Sequence, residues 1–76
     1  MIIKVNGETP FSVPTDKFGI AATTSAYILQ SSVDGENFDS VTEDEVQGEN
    51  NYVGLVVPGT IFKLSGNTDT DVMIKY

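Results

Sequence analysis

Eleven carboxylates and four lysines are the charged groups available for chemistry in this 76-residue chain, which contains no histidine, cysteine or arginine. Ser–His and Cys–His nucleophile pairs are therefore impossible, and the usual ligand sets for zinc and transition metals cannot be assembled. A Ser–Lys pair stays formally open, but no spacing singles one out. Paired carboxylates cleave glycosidic bonds only across a cleft that desolvates one of them enough to stay protonated. So short a chain has little depth for such a cleft. The residues thus point to a protein that is not an enzyme and holds no cofactor.

The acids are unevenly placed. Seven of them, Asp34, Glu36, Asp39, Glu43, Asp44, Glu45 and Glu49, fall in one stretch without a lysine, while the other four are balanced by the four lysines. The whole net charge of −7 therefore sits between Asp34 and Glu49. In its simplest reading this block is a solvated loop that keeps the domain soluble and discourages edge pairing between unrelated chains. In a sharper reading, Asp34, Glu36, Asp39, Glu43, Asp44 and Glu45 form one pole of an interaction surface. Lys4, Lys63 and Lys75, facing outward from the first and the last two strands, form the other, and together they fix register between copies or on a larger surface. Nucleic acid is excluded as a partner by the same balance, since phosphate binding draws on Lys and Arg.

Two spacings place oxygen ligands as a calcium loop would. Asn67-x-Asp69-x-Asp71 begins like an EF-hand, and Asp34-x-Glu36 is a weaker version. Val72 stands where the turn glycine should follow Asp71, and no twelfth-position glutamate is reached, so no metal site is assigned. Aromatic side chains stack on sugars in many β-sandwich modules, which makes a glycan the alternative partner. Phe62, Tyr27 and Tyr76 fall in core register and Phe38 packs beneath a turn, leaving Phe11, Phe18 and Tyr52 as the rings available at the surface.

The elements that must position these groups are strands. No apolar residues recur at helical spacing over eleven residues, whereas short β-rich runs separated by Gly, Pro, Asn and Asp occur throughout. Strands are expected at Ile2–Val5, Phe11–Val13, Phe18–Thr23, Ala26–Val33, Phe38–Val41, Tyr52–Val57, Thr60–Leu64 and Val72–Tyr76. Seven to eight short strands need two packed layers, so the expected fold is all-β: one domain over residues 1–76, a small antiparallel two-layer sandwich, Ig-like or jelly-roll-like. Alternation puts Tyr27, Leu29, Val33, Phe62, Leu64, Val72, Ile74 and Tyr76 inside. The run Tyr52–Val57, nearly continuous in apolar character but interrupted by Gly54, suits a central strand covered on both faces or a place where backbones approach closely. Val57-Pro58-Gly59-Thr60 and the Gly66-Asn67 tip between Leu64 and Val72 read as hairpin turns.

A core of this size rarely supplies more than about 3–5 kcal/mol, and without disulfide or metal the remaining source of stability is contact with other chains. No apolar run approaches the roughly 20 residues of a membrane-spanning helix. The N-terminus reads as a first strand, not a signal peptide.

In Tyr27-Ile28-Leu29-Gln30-Ser31-Ser32-Val33-Asp34-Gly35-Glu36-Asn37-Phe38, a strand runs into an Asp-Gly turn and an aromatic three residues later folds back on it. This resembles the S-x-D-G-x-x-F/W hairpin of discoidin-like modules, which bind glycans or lipids, and of small β-sandwich proteins of phage heads and tails. Val57–Thr68 followed by Val72–Tyr76 is similar to the closing hairpin of those phage modules. Discoidin-like domains are about twice this long and commonly disulfide-closed, and their exposed aromatic spikes have no clear counterpart here. A short chain beginning at its own Met and ending on a strand looks more like a virion accessory protein, such as a capsid decoration protein or part of a head fibre. The resemblance implies a structural protein of the virion, made in the host cytoplasm, whose partners are virion proteins or copies of itself.

Overall fold

A computed structural model describes residues 1–42 and 44–76. Within them the chain is all-β, with seven strands in two antiparallel sheets. The strands are β1 (Ile2–Val5), β2 (Phe18–Ile20), β3 (Ile28–Ser32), β4 (Asp39–Ser40), β5 (Asn51–Val53), β6 (Ile61–Ser65) and β7 (Val72–Lys75). A four-stranded sheet has the order β1-β7-β2-β5, and a three-stranded sheet the order β4-β3-β6. Each is short because a Gly, Pro, Asn or Asp lies close to almost every strand end and favours a turn there.

Alternation explains which residues fill the space between the layers. Phe18 and Ile20 of β2, Val72 and Ile74 of β7, and Phe62 and Leu64 of β6 are buried, while the residues between them are less so. Three phenylalanines tie the layers together. Phe18 meets Phe62 edge-on at 4.9 Å and Phe11 at 5.6 Å between ring centroids, and Phe11 stacks on Phe62 at 5.9 Å. Such pairs add about 0.5–1.5 kcal/mol each beyond the area they bury, a large share of the stability of so thin a core. Tyr27 and Leu29 are fully buried as their register predicts. Burial raises the pKa of the Tyr27 hydroxyl, and the nearby Asn51 side chain offsets part of that effect without completing a hydrogen bond.

Several expected details differ. Val33 is 93% exposed rather than inward. Strand β3 ends at Ser32, whose buried hydroxyl accepts from the Asp34 amide at 3.2 Å and the Gly35 amide at 2.9 Å, and this turns the chain out of the sheet one residue early. Phe11 and Phe18, expected among the surface rings, are both buried. The segment at Phe11, flanked by Pro10 and Pro14, is not a strand but a single two-bond bridge to Phe62 on the outer edge of β6.

The run Tyr52–Val57 is not a central strand. Strand β5 is an edge of the four-stranded sheet and stops at Val53. Leu55 adopts φ 56° and is fully exposed, after which the Val56 amide bonds to the Asp16 carbonyl at 2.7 Å and its side chain returns to the core.

Neither expected C-terminal hairpin forms as a hairpin. Thr60 donates to the Val57 carbonyl at 3.1 Å across Pro58 and Gly59, and Asn67 donates to the Leu64 carbonyl at 3.1 Å, so both turns are real. Yet β5 and β6, and likewise β6 and β7, belong to different sheets, and each turn carries the chain from one layer to the other. Turn chemistry reverses a chain but does not decide whether the next strand pairs in-plane or covers the opposite face. That choice follows from which apolar faces remain to be buried.

Candidate interaction surface

The acidic hairpin between β3 and β4 is a closed hydrogen-bond unit. Asp34 accepts from the Asn37 amide at 2.9 Å, the Glu36 amide at 2.9 Å, the Asn37 side chain at 2.8 Å and the Ser32 hydroxyl at 2.8 Å. These donors, the Asn37 amide foremost, hold its carboxyl well below the usual carboxylate range. Gly35, at φ 80°, makes the left-handed step the turn needs. Asp34 is thus a turn-builder whose oxygens are already engaged. Glu36 and Asp39 lie beside it, exposed, with Asp39 on β4. Asp44 and Glu45 are exposed in the segment leading to Val46, which bridges to Tyr27. Glu43 lies outside the described residues.

The three lysines of the expected basic pole are not brought together. Lys4 on β1 and Lys75 on β7 are exposed on the four-stranded sheet. Lys63 lies on the other sheet, half-buried, with its Nζ 4.4 Å from the centroid of the Phe38 ring, close to the acidic hairpin. This cation–π contact uses both Lys63 and Phe38 within one sheet.

Asn67 and Asp69 hold the crossing from β6 to β7, in which the exposed Asp71 also lies. Asn67 is buried, donates to the Gly7 carbonyl at 2.9 Å and accepts from the Asp69 amide at 3.1 Å. Asp69 accepts from the Thr24 hydroxyl at 2.5 Å and the Thr24 amide at 2.7 Å, and these contacts lower its pKa. The Asn67 side-chain amide and the Asp69 carboxylate thus pin this crossing to the β1–β2 and β2–β3 loops. No group of three or more metal-ligating side chains occurs among the described residues.

A different set of side chains is left unused by the fold. Tyr52, Leu55 and Val57 are 68%, 100% and 73% exposed. Leu55 and Val57 line a groove of about 230 Å³ together with Val41, which is itself exposed, and with Ser31 and Phe62 of the facing sheet. The groove lies beside β5, and the outer edge of β5 pairs with no described strand. The four sheet edges differ in how they are guarded. Lys4 sits on the β1 edge, Asp39 on the β4 edge, and Phe11 bridges the β6 edge. On β5, Asn51-Tyr52-Val53, there is neither a charge nor a proline. An open, uncharged edge is a template for pairing with another chain, which is why proteins usually blunt such edges.

No family model, curated protein or solved structure matches this chain. Among the described residues, no helix is long and apolar enough to cross a membrane. Of the β5 surface, Tyr52 is read from the sequence as an exposed ring, whereas Leu55 and Val57 are missed because a nearly continuous apolar run reads as buried. Gly54, immediately before the exposed Leu55, is the sign in the sequence that the run is interrupted.

Proposed function

We propose that this protein is a non-enzymatic structural accessory component of a phage particle, seated in many copies on the capsid or another virion surface. The observation that carries the contact reading is the unguarded β5 edge flanked by exposed Tyr52, Leu55 and Val57. Its phage setting rests on the likeness of the Ser32–Phe38 hairpin to that of small phage sandwich modules, since Val57–Tyr76, similar in sequence to their closing hairpin, does not form one.

The contact works by adding a strand to β5 while the partner covers Leu55, Val57 and Val41, so that backbone hydrogen bonds supply affinity and the apolar side chains supply register. A partner that binds only the folded chain stabilises it by mass action, which matters most for a domain with a thin core. The test is to purify particles on a density gradient and quantify the chain against the major capsid protein. A fixed multi-copy ratio, lost in a Leu55→Asp/Val57→Asp double variant that still folds, is the expected result. A chain that stays monomeric and never sediments with particles contradicts the proposal.

A further inference from the structure

The outer face of the four-stranded sheet carries a feature that shares only Tyr52 with the edge contact. Gly19 stands opposite Tyr52 on β5 and opposite Lys75 on β7, so these three residues form one row across the sheet. Its neighbours Phe18 and Ile20 are buried, which turns Gly19 outward. Two depressions of about 460 and 250 Å³ share Gly19, Tyr52 and Lys75 and make one trough with a glycine floor.

Nothing in the backbone asks for glycine here. Gly19 is not among the residues with positive φ, and a Cβ added to it would meet nothing closer than the Asn51 carbonyl oxygen at 3.8 Å. A strand-interior glycine weakens its strand and often marks a place where a ligand or another backbone approaches closely. The walls specify what approaches. Tyr52 offers an exposed aromatic ring against which the C–H face of a sugar can lie. In a chain of net charge −7, the trough gathers two of the four lysines, Lys17 and Lys75, and one of the eleven acids, Asp16. Asn50, at the far end, accepts from the Ala22 amide through Oδ1 at 3.0 Å and keeps its Nδ2 as a donor.

We infer that this trough binds an acidic pyranose, a sugar ring bearing a carboxylate, with the ring on Gly19 against Tyr52 and the carboxylate toward Lys75 and Lys17. The flat floor suits a ring, the aromatic wall suits its C–H face, and the local excess of lysine in an acidic protein suits an anion. This inference does not depend on the virion reading, since Gly19 and Lys75 lie on the sheet face and not at the β5 edge.

The test is a titration of the ¹⁵N-labelled protein with methyl glucuronide, methyl glucoside and acetate, followed by amide chemical shifts. Saturable shifts at Gly19, Tyr52 and Lys75 are expected with the glucuronide, at an affinity about tenfold or more above that for the other two, the size of a single charge-assisted contact. Tyr52→Ala and Lys75→Gln should each weaken binding by about tenfold. Gly19→Val should abolish it without lowering the melting temperature, which separates a filled trough from a lost fold. Absence of saturable shifts, equal binding of glucoside or acetate, or a Gly19→Val variant that binds like the wild type would overturn the inference.

Discussion

The acidic hairpin around Asp34 and the segment from Tyr52 to Val57 are both exposed, but they spend their side chains in opposite ways. In the hairpin, Asp34 accepts four hydrogen bonds and Lys63 lies over Phe38, so these two charged residues are consumed in making the turn and its sheet, while Glu36 and Asp39 stay exposed beside them. In the second segment Leu55 is fully exposed in a left-handed conformation, Tyr52 and Val57 are largely bare, and the outer edge of β5 pairs with no described strand. A conspicuous charged residue such as Asp34 can therefore be spoken for by the fold. Side chains left unemployed by the fold are the better guide to function.

The comparison assumes one core beneath both regions, and its most drastic test removes that core. Phe62→Ala takes away the ring that meets both Phe11 and Phe18 and should cost about 3–5 kcal/mol. That is comparable to all the stability a domain this small usually has, so the isolated variant should be largely unfolded by circular dichroism at room temperature. A well-folded Phe62→Ala protein would show that the aromatic cluster is not the common support.

A smaller effect should separate the two regions. Ser32→Ala removes the buried hydroxyl that organises the acidic hairpin and should cost about 1–3 kcal/mol in chemical denaturation. Contact through β5 should be unaffected. The same hairpin predicts a pH dependence. Because the folded-state pKa of Asp34 is depressed, its contribution is fully present above the unfolded-state value of about 3.9 and is lost as pH falls from there toward the folded pKa. Stability should thus be level above about pH 5 and fall in acid. Asp34→Asn should be less stable than the wild type at neutral pH, and that difference should shrink as acid is added.

Much of this architecture was legible in the sequence. Strand β1 was read to the residue and the Asp34-Gly35 hairpin in the right place, because alternation and an Asp-Gly turn are local signals. Tyr27, Leu29, Phe62, Leu64, Val72 and Ile74 were likewise read as core from period-two spacing. What the sequence hid was non-local. Whether Pro58-Gly59 and Gly66-Asn67 join strands within a sheet or carry the chain between sheets depends on burial of distant faces. Val33 left the core because of a hydroxyl one residue away, a competition between a strand and a side-chain turn that apolar patterning does not register. The candidate surface was obscured for the same reason. The run Tyr52–Val57 looks buried until the edge position of β5 is known.

The gentlest test addresses Leu55 alone. A non-glycine residue in the left-handed region costs about 1–2 kcal/mol, partly offset by the greater chain freedom of a glycine. Leu55→Gly should therefore raise the denaturation midpoint slightly, by up to about 1 kcal/mol, while weakening attachment to the partner surface. A variant both less stable and equally well attached would mean that Leu55 is held for the fold and not for contact.

Hydrogen–deuterium exchange on the free chain and on the chain in its assembled particle compares the two regions in a single measurement. Assembly should slow exchange strongly at the amides of residues 51–57 and leave residues 34–39 unchanged. Protection confined to the acidic hairpin, with residues 51–57 exchanging as in the free chain, would contradict the assignment of the β5 edge as the contact surface.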